Sequence, residues 1–133
     1  RDPVLSCEGL QRAATYYLGG HDAKDPLVSP LYGELSGLPP CLVITGGDEI
    51  LLAESRAMHE RLQASGVQAS LHVEEGMWHV YPLYPVPEAR QAQSMLRDFL
   101  SDRQGEFVKE QSALQADGLT GARADAKNAT GIP

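Results

Sequence analysis

The sequence predicts an α/β fold built on one βαβ unit with two parallel strands and flanking helices. Three observations carry this expectation. Cys41 to Thr45 is a short apolar run with no polar alternation, as in a strand covered on both faces. A helix pattern follows from Leu51 to Ala64, with Ala57, Met58 and Leu62 on one face. Val67, Ala69, Leu71 and Val73 then alternate with Gln68, Ser70 and His72, the period of a half-exposed strand near a sheet edge. Strand, helix and strand joined by short links make the two strands parallel, so both C-terminal ends open on one edge of the sheet.

The remaining elements frame this unit. Ser6 suits a helix N-cap, with Glu8 in the first turn, where the helix dipole favours a carboxylate. Leu10, Ala13, Ala14, Tyr17 and Leu18 then form an amphipathic stripe, which Gly19-Gly20 ends. From His21 to Pro40 the chain is rich in Gly, Pro, Ser and Asp and reads as a long surface loop. Gly46-Gly47 turns the chain sharply after the first strand. A last helix is expected from Pro87 to Arg103, burying Ala89, Ala92, Met95, Leu96, Phe99 and Leu100. Residues 1–103 therefore form the folded part, and 104–133 read as a polar, disordered tail with too little apolar surface to offset its ordering entropy.

Composition narrows the function. The chain has 133 residues and a formal net charge of −7, which argues against nucleic acid as a partner. No apolar run is long enough to span a bilayer, and no signal peptide is evident. Cys7 and Cys41 are too few for a disulfide framework, so reduced thiols and a cytoplasmic location are expected. His59-Glu60 lacks the second histidine of a zinc helix. No other spacing suggests a metal or a cofactor.

The candidate chemistry lies just past the two strands. Asp48 follows the first and His79 the second, at the sheet edge where ligands bind in open parallel sheets. Taken singly, Asp48 also suits a helix N-cap, and His79 a satisfied structural histidine. Glu49 competes with Asp48 for the role of acid. Met77, Trp78, Val80 and Tyr81 flank the histidine, and Trp78 and Val80 are candidates for the wall of a substrate pocket; packing is the alternative.

Several segments together resemble the hormone-sensitive-lipase-like family of α/β-hydrolases, the bacterial esterases of the "alpha/beta hydrolase fold-3" type. They are Asp2-Pro3-Val4-Leu5-Ser6, Tyr17-Leu18-Gly19-Gly20, Asp25-Pro26-Leu27-Val28-Ser29-Pro30-Leu31, Leu38-Pro39-Pro40, Gly47-Asp48-Glu49 and Gly76-Met77-Trp78-His79-Val80. The resemblance implies the C-terminal part of a doubly wound, mostly parallel α/β-hydrolase sheet, with Asp48 as triad acid and His79 as base, acting without a cofactor on small apolar esters. In this fold the chain order is nucleophile, acid, base. No serine of the chain sits in a G-x-S-x-G elbow, and no HGGG-type oxyanion motif is present. The resemblance thus implies a serine carboxylesterase or lipase whose N-terminal half is a required partner, the chain alone being inactive. The start at Arg1 rather than Met agrees with an upstream half. The alternative is a truncated remnant or an interaction module without catalysis.

Overall fold

The computed structural model describes residues 2–102. The chain divides into two units between Ser94 and Met95. The expected tail, 104–133, lies outside the described residues.

In the first unit, helix α1 spans Cys7–Leu18. Its start follows the cap chemistry: Ser6 is extended, and its Oγ accepts from the Gly9 N–H at 3.1 Å. Gly19, left-handed at φ 53°, ends it and donates its N–H to Thr15 O. The expected apolar stripe exists, but no residue of α1 is buried, and Tyr17 is 72% exposed.

Strand β1, Cys41–Gly46, pairs in parallel with strand β2, Ala69–Glu74. The register runs from Cys41 opposite Ala69 to Gly46 opposite Glu74, so both strands end level with each other. Helix α2, Leu52–Ala64, connects them, and Gly66 at φ 78° allows the reversal into β2. The βαβ unit is therefore as the periodicity indicated. Among the described residues the sheet has these two strands, and most of β1 is only half-buried rather than covered on both faces.

The core beneath the sheet joins Leu35, Leu62 and Val67, with Cys41, Met58 and Ala69 packed against them. Leu35 is a correction to the surface loop expected over His21 to Pro40, since that loop sends one leucine, 4% exposed, into the core. Burying the leucine brings the loop backbone close to α2, where the Arg61 guanidinium donates to Leu31 O and to Gly33 O, the latter at 2.9 Å. A planar fork with several donors suits two neighbouring carbonyls of the loop.

Helix α3 covers 87–102 of the described residues. In the first unit its Ala89 and Ala92 are buried, and Gln93 Nε2 donates to Pro82 O at 2.8 Å. In the second unit Leu96 and Leu100 are about half exposed, contrary to the stripe expected there. Among the described residues no helix is long and apolar enough to cross a membrane.

Candidate active site

Two loops leave the level ends of β1 and β2, and backbone hydrogen bonds join them. Gly47 N–H donates to Glu74 O at 2.7 Å, and Asp48 N–H donates to Met77 O at 2.9 Å. Met77 N–H closes its own turn on Glu74 O at 3.3 Å. The approach is so close that a Cβ built on Gly46 would overlap the Met77 carbonyl and lie 2.9 Å from Trp78 N. Glycine is thus required at position 46 for steric room against the second loop.

This junction sets Glu49 against His79. His79 Nδ1 lies 2.7 Å from Glu49 Oε1. The second carboxylate oxygen, Oε2, accepts from Thr45 Oγ1 at 2.8 Å and from Gly46 N–H at 3.1 Å. The Glu49 side chain is only 7% exposed, whereas that of His79 is 27% exposed. An ionised carboxylate can only accept, so Nδ1 carries the proton of this bond, and in the neutral ring the lone pair is that of Nε2. Burial alone would raise the Glu49 carboxyl. The hydrogen bonds from His79, Gly46 and Thr45 outweigh that cost and hold it below the usual glutamate value.

The expectation that Asp48 is the residue placed on the histidine is corrected by this geometry. The carboxylate on Nδ1 belongs to Glu49, while Asp48 is an exposed residue that lines a cleft. The reason is local. Glu49 N–H turns back onto Gly46 O at 3.3 Å, and a glutamate three residues after Gly46 reaches back to that residue's N–H, as in a capping box. Asp48 has a shorter side chain and uses its backbone N–H on the neighbouring loop. It does not cap α2 either, since that helix begins after Leu51 without a side-chain cap.

The cleft, about 450 Å³, is lined by Asp2, Leu5, Ser6, Cys7, Asp48 and Ile50. Asp2 ties the segment before α1 to the acid loop. Its Oδ1 accepts from Val4 and Leu5 N–H, and its Oδ2 accepts from Ile50 N–H at 3.3 Å. Burial pushes the Asp2 carboxyl up, but these bonds and the nearby His79 hold it below its ordinary value. Sequence reading missed Asp2 and Thr45 as neighbours of the acid–base pair.

On the far side of His79, Val80 adopts a left-handed φ of 53°, costly for a β-branched residue. It is 37% exposed and precedes a single 3₁₀ turn, Tyr81–Leu83. Trp78 is half-buried and packs edge-on against Tyr84, with ring centroids 5.8 Å apart. Tyr81 is fully buried.

A family model described as "alpha/beta hydrolase fold" matches residues 1–83. This chain belongs to the alpha/beta hydrolase fold family. It is 37% identical over 111 residues to an acetyl-hydrolase of Streptomyces hygroscopicus, covering 82% of this chain and 37% of that protein. It is also 38% identical over 101 residues to an esterase of Acinetobacter venetianus, covering 74% of this chain and 33% of the relative. Among solved structures, an esterase from the bacterial hormone-sensitive lipase family is 44% identical, with a TM-score of 0.72 over 74% of this chain and 34% of the other. A hormone-sensitive lipase from a metagenome library gives a TM-score of 0.75 at 36% identity, over 77% of this chain and 36% of the other. This hydrolase-family chain thus spans about a third of the length of the relatives it matches, and its parallel strand pair is part of an alpha/beta hydrolase sheet.

Proposed function

We propose that the chain supplies the acid and the base, Glu49 and His79, of a serine carboxylesterase acting on small apolar acyl esters. The observation that supports this most is the 2.7 Å contact from His79 Nδ1 to a Glu49 carboxylate whose side chain is 7% exposed and which is doubly anchored. In this reading Glu49 replaces Asp48 as the acid. The serine and the oxyanion donors come from an N-terminal half of the fold. His79 Nε2 takes the serine proton as the serine oxygen attacks the ester carbonyl, then returns it to the leaving alcohol. Glu49 fixes the tautomer and stabilises the imidazolium formed between those steps. Val80 and Trp78, on either side of the base, border the space the ester occupies. The free thiols of Cys7 and Cys41 fit a cytoplasmic setting.

Joined to the N-terminal half of a related esterase, the chain is expected to hydrolyse p-nitrophenyl acetate and to lose that activity in His79→Ala. Activity that survives the substitution removes His79 from the reaction. The second reading, a chain without catalysis, is favoured by the absence of any serine in a nucleophile elbow. A fluorophosphonate probe separates the two. It should label the joined protein and leave the chain alone unlabelled, whereas an unlabelled, inactive joined protein supports the second reading.

A further inference from the structure

We propose that Thr45 is a positioning residue for the acid–base pair: its hydroxyl holds one oxygen of Glu49 so that the other is presented to His79. The proposal rests on the reading of Glu49 and His79 given above. Thr45 is the next-to-last residue of β1 and is 2% exposed, the one buried polar residue of the core among the described residues. Because a carboxylate only accepts, its Oγ1 must donate to Glu49 Oε2 across the 2.8 Å between them. Gly46 N–H, the next donor along the same strand, reaches the same oxygen at 3.1 Å. Two donors on a rigid strand therefore fix Oε2, and the planar carboxylate cannot turn without breaking both bonds. Oε1 is left facing Nδ1 of His79. A threonine serves this better than a serine, because its branched Cβ restricts the rotamer that aims the hydroxyl. The carboxylate keeps its charge for the same reason, since each donor favours the ionised form over the protonated one.

The test uses the full chain labelled with ¹⁵N-histidine, in which the Nδ1–H resonance of His79 is identified by its loss in His79→Ala. Thr45→Val keeps the shape and removes the donor. Exchange of the Nδ1–H with water should become about tenfold faster, the effect of losing roughly one hydrogen bond's net worth. The Glu49 carboxyl should also titrate at higher pH. Thr45→Ser should restore both. Thr45→Ala set against Thr45→Ser, which differ by one hydroxyl, makes the same comparison where valine prevents folding. A threonine that merely fills space predicts an unchanged exchange rate and titration in the valine variant and equal values in the alanine and serine variants, and that result overturns the proposal. Glu49→Gln tests the underlying pair separately. If it leaves the Nδ1–H resonance as it was, the pairing of Glu49 with His79 fails. If it removes the resonance while the Thr45 variants change nothing, only the positioning role fails.

Discussion

Glu49→Gln in the joined esterase is expected to lower kcat by about 10⁴-fold, whereas Asp48→Asn should change it by about twofold at most. The size of the first effect follows from the second oxygen of the carboxylate. Gly46 N–H can only donate, so a glutamine must place its amide oxygen where Oε2 stood, 3.1 Å from that nitrogen. Its NH₂ group then faces His79 Nδ1, across the 2.7 Å now spanned by a charged hydrogen bond. Two donors cannot share that space. The imidazole must shift its proton to Nε2, and the nitrogen that should accept the serine proton is already occupied. Asp48 is exposed and is not the carboxylate on His79 Nδ1, and its backbone bond to Met77 O is the same in either form, so its amide leaves the contact between Glu49 and His79 in place. Initial rates for p-nitrophenyl acetate with the two variants, measured at equal concentration of folded protein, decide the matter. The reverse ranking would return the acid to Asp48.

That contrast also marks how far the sequence could be read. The βαβ unit was legible because Cys41–Thr45 is a continuous apolar run, Val67–Val73 alternates apolar and polar residues, and a helix pattern of suitable length lies between them. The histidine and the neighbourhood of the acid were legible because parallel strands must end on the same edge. Which of two adjacent acids faces the histidine was not, since strand periodicity stops at Gly46 and the choice depends on a backbone turn. The signal that could have found it was the spacing of Thr45, Gly46 and Glu49, in which a glutamate reaches back three residues to an N–H. Burial was the other blind spot. The stripes of α1 and of the end of α3 have helical period, but period says which residues share a face, not what covers it. Tyr17 is exposed in one unit, and Leu96 and Leu100 are half exposed in the other. Leu35, in a segment of turn-forming residues, had no periodic neighbours to reveal that it enters the core.

Gly46→Ala is expected to be the most damaging single-methyl change among the residues around the pair, lowering stability by about 3 kcal/mol and ester hydrolysis by at least about a hundredfold. The added Cβ would overlap the Met77 carbonyl and crowd Trp78 N, and these are backbone atoms that no rotamer change can move aside. Relief requires the loop after β2 to move away from the loop after β1. That separation breaks Asp48 N–H to Met77 O and Gly47 N–H to Glu74 O, the bonds that bring the two loops together. His79, two residues beyond Met77, is carried away from Glu49 with them, and a displacement of about 1 Å suffices for a loss of that order. Gly47→Ala supplies the control. Its Cβ would meet Glu75 and the Glu74 carbonyl at 3.0–3.3 Å, a tight fit that small adjustments can relieve, and its effects should be several-fold smaller. Urea unfolding of the two variants gives the stability difference, and rates in the joined esterase give the catalytic one. A Gly46→Ala protein with unchanged stability and activity would mean that the loops are not docked as closely as the sheet edge places them.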